Sequence, residues 1–192
     1  MRLLLFILLF LSAIASEAKD NRCERYVQDV RRFHYEVFGV DYPYWYGVGQ
    51  LQQESNCRDI ISNDGVGSQG VSQVTYKLWD KYLKSNGVYD LRSTSNQIKA
   101  QAYIMKSCKN QAVSNQLWIM YQVYNGGGLV NKEIKRAGSI NHDLARKECK
   151  RKVVRFSNGM SIDACEINYD YSVKIFSYGQ KYKLSEDKLK YW

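Results

Sequence analysis

Residues 48–56 read Val-Gly-Gln-Leu-Gln-Gln-Glu-Ser-Asn and place one carboxyl, Glu54, a helical turn beyond the apolar Leu51. An apolar neighbour disfavours the ionised carboxylate and raises its pKa, so Glu54 is a candidate general acid that stays protonated near neutrality. A glutamate at a helix end is ordinarily solvated. Gly70-Val71-Ser72-Gln73 and Tyr124-Asn125-Gly126-Gly127 follow it in order. Acid catalysis at a sugar commonly pairs two carboxylates. Asp59 and Asp64 are the candidates for a second one. The first is only five residues on, and the second lies in a turn where aspartate is favoured for backbone reasons. A single carboxyl suffices if the substrate itself stabilises the developing cation.

Other chemistries fail on context. Gly126, Gly127 and Gly128 follow no strand and precede no Gly-Lys-Ser, so they are not a phosphate loop. His34 and His142 have neither the strained-turn nucleophile of a triad nor a Cys-x-x-Cys partner pair, and read as structural or surface residues. No metal site and no cofactor are expected. Trp45, Trp79 and Trp118 read as helix anchors in preference to sugar-stacking rings.

The elements that must hold these residues are helical. Tyr26, Val30, Phe33 and Val37 form a stripe in 21–38, Asp41 and Pro43 look like a cap and first-turn proline, and 44–54 is the next helix. A glycine-bearing turn follows at 62–72, with Gly65, Gly67 and Gly70, and then helical patterns at 73–84, 95–109 and 115–124. In the remainder, 131–192, a basic run and a bend at 157–159 precede Tyr171, Ile175, Tyr178 and Tyr182 at helical spacing. Such a stripe reads as an aromatic face packed on the core. Strand patterns are thin. With 192 residues, 45% hydrophobic and 14% aromatic, the chain is one mainly α domain and not a disordered one.

The ordered motifs, over residues 43–130, resemble the catalytic domain of the soluble lytic transglycosylases. That family's pattern is an apolar helix ending in Glu-Ser, a loop ending Gly-Leu-Met-Gln, and a later Tyr-Asn followed by small residues. The resemblance implies a lysozyme-like α domain with a helical C-terminal extension over 131–192. It makes Glu54 the catalytic acid, Ser55 the serine beside it and Gln73 the glutamine lining the sugar groove. Tyr124 and Asn125 become the Tyr-Asn pair, whose tyrosine hydroxyl supports the carboxyl or the sugar. The implied substrate is the glycan strand of peptidoglycan, cut between N-acetylmuramic acid and N-acetylglucosamine to leave a 1,6-anhydro ring. Two departures stand out. The loop is slightly longer than usual, and Val71 and Ser72 stand where Leu and Met are usual, which bears on subsite preference more than on the reaction. A hydrolytic lysozyme on the same fold, or a non-catalytic wall-binding component of an envelope-spanning assembly, are the competing readings.

Arg2, the apolar run from Leu3 to Leu11, and small residues at Ala13 and Ala15 or Ser16 and Ala18 give a signal peptide over 1–18, followed by a single domain over 19–192. The run is too short to span a bilayer, so the membrane is met only through that segment. Export to the periplasm or beyond brings all five cysteines into an oxidising compartment. The short loop favours Cys149 with Cys165, and Cys57 is paired with Cys108, leaving Cys23 free or in an intermolecular bridge. The formal charge of +9 is concentrated: residues 131–155 carry nine basic against three acidic side chains, net +6. That patch is expected either to attract the acidic stem peptides of the wall or to be a solvated face. Export removes the basic chain from nucleic acid. A monomer is expected.

Overall fold

The computed structural model describes residues 22–62, 67–151, 153–155, 161–185 and 187. The signal-peptide segment 1–18 and the candidate Asp64 lie outside the described residues. The fold is mainly α. A short turn at Glu24–Tyr26 leads into α1 (Val27–Phe38), followed by α2 (Trp45–Ser55), α3 (Tyr76–Ser85), α4 (Thr94–Gln111), α5 (Leu117–Gly126), α6 (Leu129–Ala137) and α7 (His142–Lys147). A two-stranded antiparallel hairpin, β1 (Val153–Arg155) with β2 (Ser161–Asp163), precedes α8 (Ala164–Gly179). Strands of three residues carry no readable alternation, which is why the hairpin does not show in the sequence. No helix among the described residues is long and apolar enough to cross a membrane.

α2 is the central element. Its residues from Trp45 to Leu51 are all buried, glycines and Gln50 included, because it is covered by α1 on one side and α8 on another. The contact with α8 is the most extensive between any two elements, and it needs small residues. A Cβ on Gly49 would lie 2.2 Å from the Ile175 carbonyl oxygen, and one on Gly179 would lie 2.7 Å from that of Trp45. The backbones therefore meet directly. α8 carries the tyrosine stripe: Tyr171 and Ile175 are buried, as expected of a core face, whereas Tyr178 and Tyr182 are half-buried. Within the segment after residue 130, α8 is thus a wall of the central helix. Trp45 and Trp118 are buried anchors. His34 is fully buried, its Nδ1 lies 2.9 Å from the Val30 carbonyl oxygen, and burial pushes its pKa down to about 4.

The disulfides are Cys23–Cys57 and Cys149–Cys165, and Cys108 is the free, buried thiol. The second bridge agrees with the short-loop expectation. The pairing of Cys57 with Cys108 is overturned: Cys108 points into the core from α4, while Cys23 begins the turn before α1 and reaches Cys57 just past the end of α2. Burial pushes the Cys108 thiol up to about 12, so it stays protonated and unreactive. Non-reducing peptide mapping is expected to recover those two bridges, with Cys108 alkylated only after denaturation. Replacing both Cys23 and Cys57 by serine opens a link across 34 residues and is expected to cost about 3–4 kcal/mol, read as a fall in Tm.

Candidate active site

Glu54 sits in the last turn of α2, which ends at once. Asn56 takes a left-handed conformation at φ 52°, Cys57 follows at φ 56°, and the Cys57 N–H returns to the Leu51 carbonyl. The Cys23–Cys57 bridge and a hydrogen bond from Arg25 to the Cys57 carbonyl (3.3 Å) then anchor the helix end to the start of α1. The carboxyl is thus fixed from both directions along the chain.

The side chain of Glu54 is partly buried, and desolvation raises its pKa from 4.5 to about 7. One hydrogen bond opposes that rise: the Tyr171 hydroxyl donates to Glu54 Oε1 and favours the ionised form. Tyr171 is itself oriented from behind. The Gln50 amide donates to its oxygen (3.2 Å), and Gln101 donates to Gln50 Oε1 (2.9 Å) and to the Gly47 carbonyl (3.1 Å). Gln50 and Gln101 are fully buried. With its oxygen accepting from Gln50, the Tyr171 hydrogen is directed at the carboxylate. Gln50 and Glu54 lie four residues apart on one face of α2, which α8 covers.

Tyr124 completes this wall. Its ring stacks on that of Tyr171 with centroids 6.2 Å apart and planes 14° apart, and its hydroxyl donates to the Ser72 carbonyl (3.4 Å). Burial and the nearby Glu54 push its ionisation well above the ordinary tyrosine range, so it remains a neutral hydroxyl. Ser55 turns the other way. Its hydroxyl donates to the Val71 carbonyl (2.8 Å) and accepts from the Arg58 N–H (3.1 Å), tying the end of α2 to the glycine loop. Gln73, at φ 46°, donates its amide nitrogen to the carbonyls of Ile60 (3.0 Å) and Gly70 (2.8 Å) and so holds the loop's own shape. Asn125 is exposed at the end of α5, where its amide donates to Asn168 on α8 (2.8 Å).

The structure therefore places Glu54 and Tyr124 together, uses Ser55 and Gln73 to shape the loop beside them, and uses Asn125 to fasten α5 to the helix that carries Tyr171. Tyr171 is the site residue the sequence did not reveal. In the pattern it is one member of a tyrosine stripe, and nothing in the spacing separates the ring that meets Glu54 from those that pack elsewhere. Asp59 is engaged otherwise, accepting from Gln97 (3.0 Å). Burial and the Tyr171 hydrogen bond account for the shift at Glu54, and among the described residues no second carboxylate contributes to it. Among the described residues, no group of three or more His, Cys, Asp or Glu is placed to hold a metal ion.

The loop is held from below by Gln97 of α4, whose oxygen accepts from the Val71 N–H (2.9 Å) and whose backbone carbonyl accepts from the Ser72 hydroxyl (2.8 Å). Val71 and Ser72 are fully buried, so they seat the loop on α4. Gly70 lies at φ +82°, and a Cβ there would fall 2.1 Å from the Gln97 side chain. Gly70→Ala combines a strained backbone with a displaced buried amide, and is expected to destabilise by about 2–4 kcal/mol. Chemical denaturation checks this, and Gly70→Ala with Gln97→Ala should recover part of the loss by removing the clash. Comparisons of this chain with protein-family models, with curated proteins and with solved structures find no match.

Proposed function

We propose that the chain is an exported lytic transglycosylase with a lysozyme-like domain, acting on the glycan strands of peptidoglycan. The observation that carries this reading is the setting of Glu54: one carboxyl, desolvated to a pKa of about 7, held by a tyrosine hydroxyl and partly open. A glycosidic oxygen leaves only when protonated, and a carboxyl with that pKa is available as acid and, once ionised, as base.

In the proposed reaction Glu54 protonates the oxygen between N-acetylmuramic acid and N-acetylglucosamine. As the C1–O bond breaks, the carbonyl oxygen of the muramic acetamido group bonds to C1 and holds the positive charge. The Glu54 carboxylate, with the Tyr171 hydroxyl still donating to it, then takes the proton from the C6 hydroxyl. O6 bonds to C1, the acetamido oxygen leaves, and Glu54 returns to its protonated form with a 1,6-anhydro end as product. No water enters. Exclusion of water is thus part of the task, and the stacked Tyr124 and Tyr171 rings suit it.

Mass spectrometry of fragments released from sacculi tests the proposal. Ends lighter by one water than reducing ends support it. Reducing ends make the protein a hydrolytic lysozyme, and binding without release makes it a wall-binding component.

A further inference from the structure

Part of the basic segment 131–155 lines one open pocket. Leu129, Lys132, Glu133 and Arg136 recur at helical spacing on one face of α6, and with Lys150 and Arg151 they line a pocket of about 520 Å³. Its far wall is braced by the second disulfide: Cys149 immediately precedes Lys150, and its partner Cys165 immediately follows the lining residue Ala164. At the floor is Glu133, 2% exposed, which accepts from the Tyr169 hydroxyl (2.6 Å) and pairs with Arg151 (3.2 Å). That one acid is consumed by Arg151. Arg136 donates to the Glu148 carbonyl (2.7 Å). Arg136 also pairs with the Glu148 carboxylate (3.8 Å), whereas Lys132 and Lys150 are exposed and have no ion-pair partner among the described residues, so two of the four cations lining the pocket face solvent uncompensated.

Its position ties it to the Glu54 site. The Arg151 guanidinium lies against Gly126, where an added Cβ would be 2.6 Å from Nη1, and Gly126 directly follows the Tyr124–Asn125 pair. Asn168, which holds Asn125, presses on the same glycine. Through Gly126, the Arg151 side of the pocket is therefore joined to the end of α5 that carries Tyr124 and Asn125.

We propose that this pocket is a carboxylate-binding subsite for an acidic peptide, with Lys132 and Lys150 as the recognising cations and Arg151, fixed by Glu133, as the rigid floor. Resting on the transglycosylase reading, that peptide is the stem carried by the muramic acid of the strand. A volume of this order accommodates a short peptide, and the apolar Leu129 and Ala164 offer contact to its aliphatic parts. Attraction at a half-open site is modest per pair and falls with salt.

The test is calorimetric titration of the full chain with a synthetic stem peptide bearing free carboxylates, with the same peptide amidated, and with inorganic phosphate. Lys132→Gln/Lys150→Gln and Lys132→Glu/Lys150→Glu variants are titrated alongside, their folding verified by thermal melts. The free-carboxylate peptide is expected to bind, with about tenfold weaker binding for the glutamine variant, a larger loss for the glutamate variant, and a similar loss on amidation. Equal binding of both peptides, unchanged affinity in the variants, or binding of phosphate alone would overturn the assignment. Fragment release from sacculi is measured in parallel. Charge-dependent peptide binding without release leaves the subsite standing and removes the transglycosylase reading, whereas release without peptide binding removes the subsite alone.

Discussion

Glu54→Gln is expected to lower fragment release from sacculi by about 10³-fold or more, while affinity for sacculi changes by less than about twofold. Loss of one general acid ordinarily costs about 10²–10⁴-fold, and in the proposed reaction the same carboxyl also serves as base, which puts the effect toward the upper end. Glutamine keeps the shape and accepts a hydrogen bond from Tyr171, so the niche stays intact. The second part of the expectation concerns stability and has the opposite sign. Folding raises the pKa of Glu54 from 4.5 to about 7. The stability associated with its protonated form is fully present below pH 4.5 and is lost as pH rises through about 7, where the fold must hold an ionised, poorly solvated carboxylate. Glu54→Gln should therefore be nearly neutral at pH 4 and stabilising at pH 8, by about 1–3 kcal/mol. Thermal melts of both proteins across that range provide the check. A variant that is inactive and equally or less stable at pH 8 would make Glu54 a solvated surface glutamate and remove the basis of the proposed reaction.

How much of this was readable in the sequence depends on whether each contact is local. The position of Glu54 past Leu51, and the glycine turn that must close over the helix end, follow from spacing within about 25 residues. Helix periodicity finds α1 to α5 and α8, because each buries a face against the others, whereas α6 and α7 lie in a stretch that reads only as a basic run. The missing information is long-range. Tyr171 reaches Glu54 across 117 residues, and Gln50 meets Gln101 across 51. Pairing of Cys57 with Cys23 in place of Cys108 likewise depends on where α1 starts in space, which no spacing rule fixes. Gln73 shows a different limit. Its residue type is right for a sugar groove, yet its amide nitrogen is spent on the carbonyls of Ile60 and Gly70, so its visible role is to hold a left-handed turn.

The buried relay behind the carboxyl makes a separate demand, and Tyr171→Phe isolates it. Phenylalanine keeps the ring that stacks on Tyr124 and removes the hydroxyl that donates to Glu54 and accepts from Gln50. That hydrogen bond favours the ionised carboxyl, so its loss raises the Glu54 pKa above about 7. The proposed reaction requires Glu54 protonated at the first step, hence the alkaline limb of the rate profile should move to higher pH by roughly one unit, with kcat on the plateau lower by about 10–100-fold because the carboxyl is no longer held in one orientation. Gln50 is left with a buried donor missing one acceptor, at a cost of about 1–3 kcal/mol in stability. A residue that only packed the core would lower stability and could reduce activity, but it would leave the limb in place. Gln50→Leu supplies the intermediate case: it frees the Tyr171 hydroxyl to turn without removing it, so the limb should move less than in Tyr171→Phe while kcat falls. An unmoved limb in both variants would mean that Tyr171 holds α8 against α2 and has no hand in setting the proton affinity of Glu54.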